Sequence, residues 1–204
     1  MKSNSFHYKD LQIETHAEVY DPAEDTYLLL DAIDIKKNES VLEIGSGCGI
    51  ISLECARIGA NVISTDINPI AVELVKKNFL INQNILNGNF EVRSGDLFSP
   101  ILSSETFDVI IFNPPYLPTK KEQRIGGLYD LALDGGESGI EVTKKFIGSV
   151  SAFLRKDGKA YFVFSSLSSK DALESLIKKL KLNFKIVESK TYGDETLSVY
   201  MLKK

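Results

Sequence analysis

An apolar run, Val109-Ile110-Ile111-Phe112, stops abruptly at Asn113-Pro114-Pro115-Tyr116. Each proline fixes its own φ and restricts the residue before it, so the stretch cannot continue a helix. The Asn113 side-chain oxygen and the Pro114 carbonyl are therefore expected as two fixed acceptors, which is what a planar –NH2 group requires. An amide or exocyclic amine is a poor nucleophile because its lone pair is delocalised. Holding both of its hydrogens favours the geometry and charge of an attacking nitrogen and aligns it with an electrophile, a contribution of roughly several kcal/mol. Tyr116 offers a ring face for stacking on the planar group. A strand-end turn with a proline brake is the plain reading of these four residues alone.

Three more strand ends carry suitable groups. Glu43-Ile44-Gly45-Ser46-Gly47-Cys48-Gly49 is a glycine loop whose backbone N–H groups can approach a nucleotide-like ligand. Its G-x-G-x-G spacing is not the G-x-G-x-x-G of hydride-transferring dinucleotide enzymes. Asp66 follows Gly45 by 21 residues, at the end of the next strand, where a carboxylate can accept both ribose hydroxyls. Asp96 ends a third strand in Ser94-Gly95-Asp96-Leu97-Phe98; it suits an adenine amino group, and Leu97 can pack on the ring. Glycine loop, acid, acid on successive strand ends fits S-adenosylmethionine better than a nicotinamide dinucleotide.

The positioning elements alternate. Strands are expected over 40–45, 61–67, 89–96, 107–112 and 159–166, with helices over 51–59, after Asn68-Pro69, over 139–155 and over 168–182. Asn68 is expected to cap its helix with Pro69 in the first turn, Glu73 to pair with Lys77, and Ser168-x-x-Asp171 to start the later helix. Two further β-rich stretches, FKIVES and TLSVYML, close the chain. Continuous apolar strands between amphipathic helices predict an open, doubly wound α/β sheet covered on both faces.

The 204 residues are expected as one domain burying about 70 per cent of the unfolded surface. A net charge of −4 opposes a surface built to grip a phosphate backbone. Cys48 and Cys55 have no partner pattern, and His7 and His16 have no ligand-spaced companion, so neither a disulfide scaffold nor a metal site is expected. No apolar run reaches the roughly 18 residues of a membrane span, and the polar start is unlike a signal peptide. A cytoplasmic location is expected.

VYDPAEDTYLLLDAI (19–33), EIGSGCGI (43–50), TDINP (65–69), FNPPYLP (112–118), DGGESGIEV (134–142) and DETLSV (194–199) together resemble the HemK-type protein-glutamine methyltransferases. The likeness is to the compact archaeal and eukaryotic branch that modifies the class-one translation release factor. It spans about residues 17 to 200. It implies a seven-stranded Rossmann-like S-adenosylmethionine-dependent methyltransferase fold, mostly parallel, with an antiparallel C-terminal strand. Residues 1–38 would cover substrate and cofactor, and 39–204 would form the sheet core. The resemblance implies Thr26, Glu43, Gly45, Gly47, Asp66, Asp96, Leu97 and Asn113 for the cofactor, and Asn113, Pro114, Pro115 and Tyr116 for the substrate amide, with Asn113, Pro114 and Tyr116 catalytic. Thr26 rests on the resemblance alone.

The family also implies a partner, a small zinc-binding activator subunit, expected along the 89–96 edge. Bacterial relatives carry an N-terminal helical domain that is not expected here, and many eukaryotic relatives have a tryptophan where this chain reads Leu131-Ala132-Leu133. Residues 117–138 form a long loop expected to close over the substrate peptide. The alternatives are an amino-methyltransferase acting on an exocyclic base nitrogen of DNA or RNA, disfavoured by the acidic balance, and a protein lysine methyltransferase.

Overall fold

Alternation of apolar strands with helices becomes a seven-stranded sheet in the computed structural model, which describes residues 4–120 and 126–204. A separate hairpin of β1 (Ser5–Tyr8) and β2 (Leu11–Glu14) comes first, then α1 (Glu24–Ala32). The sheet begins with β3 (Ser40–Ile44), followed by α2 (Ile50–Ile58), β4 (Asn61–Asp66), α3 (Pro69–Asn82), β5 (Phe90–Ser94) and β6 (Phe107–Phe112). It continues through α4 (Glu141–Phe153), β7 (Leu154–Ser165), α5 (Lys170–Lys179), β8 (Asn183–Tyr192) and β9 (Glu195–Lys203).

The sheet order is β5-β4-β3-β6-β7-β9-β8. Strands β3 to β7 pair in parallel, and β9 runs antiparallel between β7 and β8. The Rossmann-like, mostly parallel sheet with an antiparallel C-terminal strand is thus present, and β5 lies at its edge as expected. β6 shows why a strand can read as an unbroken apolar run. Val109 and Ile111 enter one core with Leu29, Leu53 and Tyr161, while Ile110 and Phe112 enter another with Phe146, Phe162 and Ile177. Both faces are covered, so alternation is absent.

Local details follow the expected chemistry in part. Asn68 caps α3, its side chain accepting from the Ile70 N–H at 2.9 Å, with Pro69 at the first helical position. Glu73, however, pairs with Lys76 rather than Lys77. β2 lies beside α3, and Lys77 is drawn to Glu14 instead. Ser168 does not cap α5; Ser169 occupies that place without a side-chain bond. The Ser168 hydroxyl donates to the Tyr116 carbonyl at 2.6 Å, a tertiary partner that outcompetes the cap.

The hairpin docks by an unusual device that the polar N-terminal sequence conceals. Asn78 and Asn82, one turn apart on α3, pair with alternate residues of β2 as a neighbouring strand would. Asn78 accepts from the Glu14 N–H and donates to the Glu14 carbonyl, both at 2.9 Å, and Asn82 does the same for Gln12 at 2.9 and 2.8 Å. The Asn78 amide also donates to the Cys48 carbonyl at 2.9 Å, joining the hairpin to the glycine loop. Asn78 is fully buried, so truncation strands three backbone groups at once. Asn78→Ala is expected to lower stability by about 2–4 kcal/mol in denaturant unfolding. An unchanged midpoint would refute this docking role.

Candidate active site

The strand register decides what meets at the sheet's carboxyl edge. Ile44 pairs with both Thr65 and Phe112, and Asp66 pairs with Ser94. The next residues along, Gly45, Asp66 and Asn113, therefore emerge side by side. They border a cavity of about 470 Å³ at the point where the chain, having built β4 and β5 outward from β3, returns to β3's other side with β6. Such switch points are where open α/β sheets bind ligands.

The glycine loop forms the floor. Gly45 has φ +65°, and an added Cβ would lie 3.2 Å from the Phe112 ring, so a side chain there would be strained and crowded. The Gly47 N–H donates to Asp66 Oδ2 at 2.9 Å, and Asn68 N–H donates to Oδ1 at 2.8 Å. Asp66 is thus fixed by backbone donors, and burial pushes its pKa up. Glu43 accepts from the Ser52 N–H at 2.9 Å and from the Ser52 hydroxyl, yet burial outweighs these bonds and raises its pKa to about 8. On the far side Asp96 is exposed, and Leu97 adopts φ +47°, a conformation costly for a non-glycine residue. Strain of this kind concentrates at ligand sites.

Asn113 is the most informative residue. Its Oδ1 is buried and, among the described residues, has no hydrogen-bond partner. Ser46 Oγ, on the same cavity wall, is in the same state. An orphaned buried acceptor costs about 1–3 kcal/mol, so it marks a place where a ligand donor completes the bonding.

The cavity brings together Thr26, Glu43, Gly45, Gly47, Asp66, Asp96, Leu97, Asn113, Pro114 and Pro115. Tyr116 stands outside the lining. Its ring packs against the core, its hydroxyl donates to Asp25 Oδ2 at 3.0 Å, and its carbonyl accepts from Ser168. Two further wall residues come from the 19–33 motif, Tyr20 expected either to stack on a ligand or to pack in the core, and Asp25 with no role expected. Asp25 and Tyr20 lie in the stretch where resemblance pointed only to Thr26, and Asp25 reaches Tyr116 across 91 positions, a separation no spacing rule detects. The 117–138 loop borders the cavity through Leu128, Asp130, Leu131 and Asp134. Its residues 121–125 lie outside those described.

Charge tests the cofactor. Glu18, Asp25, Asp66, Asp96, Asp130 and Asp134 line the cavity beside the largely protonated Glu43, against Lys145 as the lining cation among the described residues. An acidic wall suits a ligand bearing a sulfonium and an ammonium, and opposes the diphosphate of a dinucleotide. The residues present fit S-adenosylmethionine.

Comparison with known proteins agrees. The model of the methyltransferase small domain family matches residues 11–126. A Methanocaldococcus jannaschii protein provisionally named a protein N5-glutamine methyltransferase is 42% identical over 86% of this chain and 86% of its own. Human methyltransferase HEMK2 is 32% identical over 92% of this chain and 91% of its own. Among solved structures, the E. cuniculi Mtq2-Trm112 complex, titled as responsible for methylation of the eRF1 translation termination factor, matches with a TM-score of 0.68 and 26% identity. That match covers 92% of this chain and 99% of the solved one.

Glu43 makes stability depend on pH. With a folded pKa near 8 against an ordinary value of 4.5, the folded state holds a proton that the unfolded state has lost between these limits. Stability therefore falls as pH rises through that window, and Asp66, shifted in the same direction, adds to the slope. Glu43→Gln is expected to flatten the decline in melting temperature between pH 5 and 8 in the cofactor-free protein. Parallel curves for the two proteins would show that Glu43 ionises normally.

Proposed function

The chain belongs to the methyltransferase small domain family, in its HEMK2-like branch of protein glutamine methyltransferases, and from that premise we propose that it N-methylates a release-factor glutamine. The substrate is the side-chain amide in the Gly-Gly-Gln motif of the class-one translation release factor. The cofactor is S-adenosylmethionine, which supplies an electrophilic methyl when bound. The observation that carries the reading is the unpartnered, buried Asn113 Oδ1 in the cavity that Asp66 and Asp96 also line.

In this reading Asp66 accepts the ribose hydroxyls, Asp96 and Leu97 receive the adenine, and Glu43, Gly45, Gly47 and Thr26 border the methionine end. Asn113 Oδ1 and the Pro114 carbonyl accept the two amide hydrogens, with Pro115 and Tyr116 shaping the turn. Held this way, the amide nitrogen loses its freedom to rotate. Charge developing on the NH2 group is met by fixed acceptors rather than by reorienting water. Residues 1–38 act as a cover and 39–204 as the sheet core of one methyltransferase domain. The 117–138 loop closes over the peptide.

A small zinc-binding activator subunit pairs along β5 in this reading. The Mtq2-Trm112 complex supports an assembly of this kind. So does the exposed apolar groove beside the edge strand, lined by Phe79, Leu80, Phe90 and Val92, with Leu80 59% exposed. A cytoplasmic location is part of this proposal; among the described residues no helix is long and apolar enough to cross a membrane.

Methyl transfer from labelled S-adenosylmethionine to purified release factor is expected, with no label on the tip Gln→Ala substrate. Asn113→Ala should reduce turnover at least about 100-fold while the protein still folds. Label on transfer RNA but not on release factor would overturn the reading in favour of base methylation. A bacterial tRNA1(Val) adenine-N6 methyltransferase is 31% identical over 58% of this chain. For the partner, Leu80→Asp should abolish co-purification of the activator without changing the melting temperature, and undiminished co-purification would place the activator elsewhere.

A further inference from the structure

Asp25 is 3% exposed and accepts from four donor groups belonging to Tyr20, Thr26 and Tyr116. The Thr26 N–H and hydroxyl donate to Oδ1 at 2.6 and 3.1 Å. The Tyr116 hydroxyl donates to Oδ2 at 3.0 Å, and the Tyr20 hydroxyl lies 3.3 Å from the same oxygen. No cation is among these donors. The group is therefore held by neutral hydroxyls and a backbone amide, on the wall of the cavity itself. Its partners belong to the segment that enters α1, to the cofactor wall, and to the turn that carries Asn113.

The geometry at Tyr116 shows what this accomplishes. Tyr116 follows Pro114-Pro115, whose φ angles are fixed, so the orientation of residue 116 and that of the Asn113 turn are mechanically linked. The residue is clamped at both ends, its carbonyl by Ser168 and its hydroxyl by Asp25. Burial, and then the neighbouring Asp25, push the Tyr116 pKa up, so its hydroxyl stays a donor throughout the working range.

We infer that Asp25 is a positioning residue for methyl transfer: through the Tyr116 hydroxyl it holds the Asn113-Pro114 acceptors in the orientation that receives the substrate amide, and it joins that turn to the cofactor wall at Thr26. The inference rests on the proposed reading of Asn113 as the amide-binding residue. It assigns the tyrosine of the motif a hydroxyl-borne structural tie in place of ring stacking alone. A misplacement of about 1 Å in an acceptor pair is enough to lower turnover strongly.

Two isosteric variants test it, Asp25→Asn and Tyr116→Phe, with the double variant. Each single variant should lower kcat about tenfold or more, with cofactor Kd by calorimetry within about threefold of the parent. The double variant should be no worse than the poorer single one, because both break one link. Losses that multiply would overturn the inference, as would a tenfold weaker cofactor Kd with kcat unchanged. A second readout needs no substrate. Hydrogen–deuterium exchange of the peptide covering 112–120 should rise in both single variants and rise no further in the double. Unchanged exchange there overturns the inference even if turnover falls. If the parent protein itself transfers no methyl to release factor, the proposed function fails, and the exchange experiment still decides the Asp25–Tyr116 link.

Discussion

The lateral hydrogen bonding between β3 and β6 sets the register Ile44↔Phe112, and everything chemical in this protein depends on it. Side chains alternate along a strand, so a slip of one residue would turn Phe112 out of its aromatic cluster and aim Asn113 away from the glycine loop. Packing guards the register. Phe112 lies 5.1 Å from Phe146, which in turn is 5.7 Å from Phe98 and 6.1 Å from Phe162, and Phe162 is 5.4 Å from Tyr200. Aromatic pairs at these spacings add roughly 0.5–1.5 kcal/mol each beyond simple burial. Four such pairs together are of the same order as, or larger than, the roughly 1–3 kcal/mol lost by leaving one buried acceptor unpaired next door. The last residue of the strand supplies one of these pairs, with Phe146, and so offsets part of what its successor forgoes.

The same trade recurs around the cavity. Leu97 sits in a left-handed conformation, Ser46 Oγ and Asn113 Oδ1 have no partner among the described residues, and Glu43 is buried deeply enough to favour its protonated form. None of these would survive in a sequence optimised for stability alone. Well-bonded groups stand beside them in the same wall. Asp66 is pinned by two backbone donors, Glu43 by Ser52, and Tyr116 by Asp25 and Ser168. The site is a set of open valences inside a frame of closed ones. A small planar amide can be gripped there only because the frame does not adjust to it.

How much of this was legible in the sequence depends on range. Central strands such as β6 match their expected limits because an apolar run bounded by a polar turn needs no tertiary information. The Asn68–Pro69 cap is likewise local. Glu73 and Ser168 show where local reasoning stops. Each had a suitable partner within four residues, and each was affected by an element distant in sequence: β2 takes Lys77 from Glu73, and the turn after β6 takes Ser168 from its helix. Asp25 marks the other limit. Its type was visible within a recognisable motif, but its partner lies 91 residues away. The N-terminal hairpin is hidden in the sequence because its exposed residues make it look like a polar tail, while only Leu11 and Ile13 are fully buried and Phe6 and Tyr8 pack partly buried beside them.

That hairpin also explains how a segment outside the sheet reaches the site. Asn78 and Asn82 present side-chain amides at the spacing of one helical turn, about 6 Å, close to the two-residue repeat of a strand. A helix can therefore stand in for a β-neighbour over two residues of β2, though not over many, because the rises of helix and strand soon diverge. The short β2 takes advantage of this limit. Asn68 repeats the device once more, its amide donating to the Glu18 carbonyl at 2.8 Å. By these steps along α3 the chain is led from Gln12 to Glu14 to Glu18, and so to Tyr20 and Asp25 at the cavity wall. The path makes the N-terminal segment part of the site by geometry: α3, which Asn68 caps beside Asp66 on the cavity wall, also holds the segment that leads to Tyr20 and Asp25 on that wall.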